Sequence, residues 1–291
     1  MLKKTSGTLP KIFLDGFKFT EGARWYKKQL WFCDLWDNKI YWFNTDGTKA
    51  KEISIEDPVG LGWLSDGSLL ITSLLNRQLL RYYNDNLSVY KNLAIATPGY
   101  CHDFTISNND VVYLSASGFY PSYNKKPTKS NILMITPDKK IQIAAKDLGY
   151  PNGIVITPNG KKLIVAETFS SQISSFEINP DFTLTNQKIW AKFDDLAFKV
   201  SFDKNGAPED KNRHYPDGIC NDDQLDAIWV ASPGKKEVLC VNQQGSILKI
   251  VTTIGHPFDC ILGGEDNRTL FIATSEMQQQ ERTGKIEKIR V

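Results

Sequence analysis

Short apolar runs recur along the chain at intervals of tens of residues. The pattern appears as Leu30-Trp31-Phe32-Cys33-Asp34, Leu69-Leu70-Ile71-Thr72-Ser73, Val111-Val112-Tyr113-Leu114-Ser115, Leu163-Ile164-Val165-Ala166-Glu167, Ala227-Ile228-Trp229-Val230-Ala231 and Leu270-Phe271-Ile272-Ala273-Thr274. Successive starts are 39, 42, 52, 64 and 43 residues apart, and three of these spacings match the ~40–50 residues of a propeller blade. The two long gaps hold insertions, at 118–130 and 197–215. Before each copy lies an alternating segment opened by small or acidic residues, such as Glu21-Gly22-Ala23, Asn152-Gly153-Ile154 and Asp217-Gly218-Ile219. After each copy a third strand is predicted, at 39–43, 78–82, 132–135, 173–178, 238–241 and 285–289, closed by turns such as Asp46-Gly47 and Gln244-Gly245. No stretch carries an apolar stripe of helical period over ten or more residues, so helical crossovers are not predicted. The last copy has only three strands before Val291, and residues 11–14 supply a fourth. The pattern therefore predicts an all-β chain, a six-bladed β-propeller forming one domain over 1–291, its last blade completed by the N-terminal strand.

Composition narrows the classes of partner. With 35 Lys and Arg against 33 Asp and Glu, the net charge of +2 gives no strong field for nucleic acid or an anionic membrane. Neither a signal-peptide core nor an apolar run of ~18–20 residues is present. The five cysteines (Cys33, Cys101, Cys220, Cys240 and Cys260) show no CxxC spacing and mostly sit in apolar runs, so buried reduced thiols in a cytoplasmic protein are expected. The expected partner is a small molecule, and the expected assembly a monomer or weak oligomer.

Innermost propeller strands line a central channel, which brings the first-strand starts together. Glu21, Asn152 and Asp217 are hard oxygen donors from three different blades, the geometry in which two carboxylates and an amide bind a divalent cation. Asn-Gly and Asp-Gly are also frequent tight-turn dipeptides, so a turn is the competing reading of each pair. His102 is either a hydrogen-bonded interior histidine or a group acting on substrate. His214 and His256 read as solvent or turn residues. There is no G-x-S-x-G elbow for a serine nucleophile.

The segments Phe19-Thr20-Glu21-Gly22-Ala23-Arg24-Trp25, Pro151-Asn152-Gly153-Ile154, Pro216-Asp217-Gly218-Ile219 and Cys260-Ile261-Leu262-Gly263-Gly264, in this order over nearly the whole chain, resemble the senescence marker protein (regucalcin)/gluconolactonase/luciferin-regenerating enzyme family. The resemblance implies a six-bladed propeller with Glu21, Asn152 and Asp217 as ligands of one divalent metal ion, calcium first and zinc, manganese or magnesium as alternatives. It also implies a metal-dependent hydrolase opening a sugar or other small lactone, with Asp217 as ligand and leading base and Asp103 as a second catalytic carboxylate. The family's sugar lactonases commonly carry Arg-x-Asn-Asp at the third inner strand, where this chain has Tyr100-Cys101-His102-Asp103. Tyr100 and His102 thus fall at substrate-binding positions, and together with nearby Phe104 they suit a less polar lactone or ester. The competing expectations are an organophosphate or aryl ester hydrolase on the same metal, a sugar-acid dehydratase or isomerase, and a non-enzymatic calcium-binding propeller.

Overall fold

The computed structural model describes residues 3–4, 9–195, 198–204, 206–276 and 281–291, so Ala197, the expected start of the second insertion, lies outside the described residues. Six antiparallel sheets follow one another along the chain. Blade 1 is Thr20–Tyr26, Gln29–Asp34, Lys39–Phe43 and Lys49–Ser54. Blade 2 is Pro58–Trp63, Leu69–Ser73, Gln78–Tyr83 and Asn86–Asn92. Blade 3 is Cys101–Ile106, Val112–Ala116, Ser130–Ile135 and Ile141–Leu148. Blade 4 is Pro151–Ile156, Lys162–Glu167, Gln172–Ile178 and Leu184–Lys192. Blade 5 is Ile219–Asp222, Ala227–Ser232, Glu237–Asn242 and Ile247–Thr252. Blade 6 takes His256–Gly263, Thr269–Ser275 and Gly284–Arg290 from the end of the chain and Lys11–Phe17 from its beginning.

The closing strand pairs antiparallel with the last one, Lys11 opposite Lys288 and Phe17 opposite Gly284, as the sequence predicts. One pairing is unexpected: Lys3–Lys4 adds a parallel fifth strand beside Ile247–Thr252 of blade 5.

Each blade is covered on both faces by its neighbours, which explains the continuous apolar runs. The second strands Leu69–Ser73, Val112–Ala116 and Ala227–Ser232 are buried at every position. The hydrophobic core is accordingly an annulus. Of seven apolar clusters, six lie between consecutive blades, for example Leu70, Leu79, Phe104 and Leu114 between blades 2 and 3, and Phe17, Phe32, Phe43 and Phe271 between blades 6 and 1. Among the described residues the five cysteines are buried and unpaired, and no helix is long and apolar enough to cross a membrane.

The six inner strands touch in a closed ring, each against the next. In five of them the pairing register shifts at one equivalent place: Glu21/Arg24, Pro58/Gly60, Cys101/Phe104, Pro151/Ile154 and Pro257/Asp259. A bulge bends its strand and re-aims a side chain. In these five blades it falls at the repeated position that holds the candidates, and in blade 5 Asp217 comes just before the paired strand.

Candidate metal centre

The residues at this repeated position are Glu21, Val59, His102, Asn152, Asp217 and Phe258 in blades 1 to 6. The next residue is Gly22, Gly60, Asp103, Gly153, Gly218 and Asp259. Asn152-Gly153 and Glu21-Gly22 lie inside strands, and Asp217-Gly218 leads directly into one, so the tight-turn reading is wrong. The glycines serve close approach. A Cβ on Gly153 would stand 2.7 Å from the Ile219 nitrogen and 2.8 Å from the Gly218 Cα, nearer still to the Asp217 carbonyl. A Cβ on Gly22 would meet the Val59 carbonyl at 2.5 Å, with φ at +58° as a second bar to any side chain. Gly218 N–H donates to the Phe258 carbonyl across the blade boundary (2.8 Å).

Glu21 and Asp217 act on each other electrostatically. Burial first, then the charges of Asp217, Asp259 and Asp103, push the Glu21 carboxyl well above its ordinary range. Burial, then Asp259 and Asp103, do the same to Asp217. Asp217 Oδ1 is buried with no hydrogen-bond partner. Acids so placed are protonated or neutralised by a cation. Among the described residues no three His, Cys, Asp or Glu side chains group in a metal-binding arrangement, so a cation held here would draw its third protein donor from the Asn152 amide. The chemistry of this all-oxygen set fits a hard divalent ion.

His102 is buried at 7% exposure, and its Nε2 has no partner. Burial alone lowers its pKa to about 3, which leaves a neutral ring able to accept or donate one hydrogen bond. Aromatic rings hold it: Tyr150 at 4.9 Å and Tyr100 at 5.7 Å, both edge-on, with Tyr120 against Tyr100 at 4.6 Å. On the other side of the ring, Phe19 packs at a tilt between Phe258 and Trp36, centroids 4.6 and 4.5 Å away.

Phe104, expected beside Tyr100 near the substrate, is instead a core residue. It is 1% exposed and lies against the face of Gly62, between blades 2 and 3. The bulge reverses its direction relative to His102. His256 and His214 lie outside the centre. The first donates from Nδ1 to the Pro233 carbonyl (2.6 Å) and faces Glu276, and the second contacts Ser232 Oγ.

Asp103 is present at the ring but is already engaged. Arg24 Nη2 donates to its Oδ1, while Oδ2 stays buried and unpartnered. Burial raises its pKa, with Arg24 opposing. The same guanidinium reaches Asp259 through Nη1 (3.3 Å), and the Asp259 carboxyl, raised by burial against the pull of Arg24, comes to about 7.

Two residues of this neighbourhood escape the sequence reading: Arg24 and Tyr150. Tyr150 is a buried aromatic residue with φ at +68°, a conformation that bulky side chains rarely take. Burial pushes its hydroxyl pKa up, and its ring contacts Phe169 at 4.4 Å. The two insertions meet in this aromatic group: Phe119 of the first lies 5.9 Å from Phe202 of the second, beside Tyr150, Phe169 and Tyr215. They form a joint roof over blades 3 and 4.

Fold and site define a six-bladed β-propeller with acids gathered at one mouth of its channel. The sequence matches the SMP-30/Gluconolactonase/LRE-like region over residues 19–276, and the chain belongs to that family. The fold is shared with a luciferin-regenerating enzyme (TM-score 0.80, 14% identity, covering 98% of this chain and 95% of that one). It is shared also with a gluconolactonase from Xanthomonas campestris (0.74, 18%, 96% and 89%) and with a calcium-binding regucalcin from Agrobacterium tumefaciens (0.74, 15%, 96% and 92%). In sequence, serum paraoxonase/arylesterase 1 of Mus musculus is 29% identical over 116 residues, 35% of this chain and 32% of that protein. The chain thus spans about a third of the length of the curated relatives it matches.

Proposed function

We propose that the protein is a divalent-metal-dependent hydrolase that opens small lactones. The observation that carries this is the pair Glu21 and Asp217, drawn from different blades into one buried place with no cation of the chain assigned to them. Glu21, Asn152 and Asp217 would hold the ion, which when bound polarises a carbonyl oxygen and makes water a better nucleophile.

The chain's own groups then divide the work. Asp217 Oδ1, free of any hydrogen bond, takes the proton of the attacking water as its oxygen adds to the carbonyl carbon. The ring C–O bond breaks, and that proton passes to the leaving alkoxide, giving a hydroxy acid. His102, neutral and with Nε2 open, orients a substrate oxygen. Val59 and Phe258 fill the remaining positions of the ring and offer no hydrogen bonds, and Tyr100 and Tyr120 wall the mouth beside His102. This lining suits a lactone with few hydroxyls better than an aldonolactone. The likeness to an arylesterase supports aryl esters as a second substrate class. The buried unpaired cysteines support a reducing, cytoplasmic setting.

The test is a panel of alkyl, aryl and polyhydroxylated lactones with metal analysis, before and after chelation and with Asp217→Asn. The expected result is turnover abolished by chelation, restored by calcium, and down at least ~10²-fold in Asp217→Asn at saturating metal. Turnover that survives complete chelation would refute the proposal.

A further inference from the structure

Position by position around the channel, the residue after each mouth residue is glycine in blades 1, 2, 4 and 5 and aspartate in blades 3 and 6. In a six-membered ring those two blades stand opposite each other. Each aspartate reaches beyond its own blade. Asp259 Oδ2 accepts the Ala23 N–H of blade 1 at 2.7 Å, and Asp103 Oδ1 accepts from the Arg24 guanidinium of the same blade. The neighbouring glycines leave room for both: a Cβ on Gly60 would be 3.0 Å from Asp103 Oδ1, and one on Gly218 would collide with the Asp259 carboxylate.

Arg24 of blade 1 spans the gap between them. Its Nη2 donates to Asp103 and its Nη1 to Asp259, while Nε bonds the Leu61 carbonyl of blade 2 at 3.0 Å and Nη1 also bonds the Ala23 carbonyl at 2.8 Å. Four blades thus meet on one guanidinium, the only shape among side chains with a planar fork of donors. Beyond it the channel widens into a cavity of about 500 Å³ lined by Arg24, Ile154, Ile156, Ile219, Ile261 and Leu262. Arg24 therefore separates the acidic mouth from the opposite one. It also places a fixed positive charge on Asp103 and Asp259, beside Glu21 and Asp217 but paired with neither.

We propose that Arg24 is a positioning residue for the candidate centre, a guanidinium strut that crosses the channel and fixes the strands carrying Glu21 and Asp217 through Asp103 and Asp259. This inference rests on the reading of that centre as a metal-dependent hydrolase.

The experiment is chemical rescue of Arg24→Ala by methylguanidinium at millimolar concentration, entering by the 500 Å³ cavity, with urea and sodium chloride as controls. Thermal midpoint, calcium affinity and lactone kinetics are read together. Arg24→Ala should lose about 5 °C or more in Tm and at least tenfold in both kcat and calcium affinity, with KM nearly unchanged. Methylguanidinium should restore all three with one midpoint, and urea, which has the shape without the charge, should restore none. Recovery of Tm without recovery of calcium affinity would reduce Arg24 to a structural role and overturn the proposal. Rescue by urea, or undiminished calcium binding in Arg24→Ala, would overturn it too.

Should Arg24→Ala not fold, Arg24→Lys decides: it keeps a charge that reaches one aspartate but not both, and full turnover there refutes the strut. The wild-type arms judge the hydrolase reading separately. A wild type that binds calcium and opens no lactone sinks the reaction, while rescue of calcium affinity in Arg24→Ala still upholds the strut. A wild type that binds no calcium sinks both.

Discussion

Gly153→Ala isolates the contact on which the centre depends. The added Cβ meets backbone of blade 5 at 2.7 and 2.8 Å, with the Asp217 carbonyl nearer still. Ordinary contact begins near 3.4 Å, so the inner strands of blades 4 and 5 must part by about 0.7 Å or more. No flexible side chain is there to yield. Overpacking of this kind costs ~1–3 kcal/mol, which for a chain of this size lowers Tm by roughly 2–8 °C. The displacement falls between Asn152 and Asp217, and misplacement of about 1 Å at a reacting centre is worth ~10²-fold in rate. Gly160→Ala is the control. Gly160 has φ at +71° and open space around it, in the turn after the inner strand of the same blade. It should cost a comparable ~1 kcal/mol with turnover intact. Differential scanning fluorimetry and initial rates on one good lactone, at saturating calcium, give both numbers. If Gly153→Ala keeps wild-type turnover, the glycines do not set the distance between the ligand strands, and the argument from close approach fails.

Three further outcomes are expected. In metal-free protein, Glu21, Asp217, Asp103 and Asp259 all have folded pKa values above the ordinary carboxylate range. At these four groups the native state binds more protons than the unfolded one, so their contribution to stability is fully present below the unfolded values near ~4 and is lost as pH rises through about 7, the Asp259 value. Between about pH 7.5 and 8.5, where His102 is largely neutral in both states, Tm without metal should fall with pH and calcium should remove the slope; a flat metal-free profile would refute the shifts. Deleting residues 1–15 strips much of the closing strand from Gly284–Arg290 and should give aggregated or unfolded protein, whereas an unchanged Tm would count against ring closure. His102→Asn should retain metal and move preference toward hydroxylated lactones. Complete loss of turnover on every wild-type substrate, with metal bound, would place His102 in the chemistry instead of Asp217.

How far the sequence could be read depended on burial. Second strands, covered on both faces, announce themselves as Leu-Leu-Ile-Thr-Ser or Ala-Ile-Trp-Val-Ala. The outer strands do not. Lys49–Ser54, reading Lys-Ala-Lys-Glu-Ile-Ser, has no fully buried position, and Asn86–Asn92 has one, so neither shows a pattern distinguishable from loop. The ring of Glu21, His102, Asn152, Asp217 and Phe258-Asp259 was legible because the blade repeat sets its register. The direction of Phe104 was not, because a bulge between Cys101 and Phe104 changes which face a side chain takes. Arg24 was hidden for a different reason: the sequence shows where a side chain starts but not how far a long one reaches, and this one joins residues 79 and 235 positions away.

The N-terminal strand also imposes an order on synthesis. Phe17 leaves the ribosome early, yet its backbone partner Gly284 lies almost at the other end of the chain. Phe17 rests on Phe32, Tyr41 and Phe43 of blade 1, centroids 4.9 to 6.1 Å away. Blade 1 can thus keep its greasy edge covered by a neighbour only ten to thirty residues distant while the rest is translated. The hydrogen-bonded side of the same strand must wait for residues 284–290. A nascent chain therefore carries an open seam through five blades of elongation, a contact of the highest sequence separation that forms last and slowly. The seam that closes the finished ring is, until residues 284–290 emerge, the place where two half-made copies would most readily join.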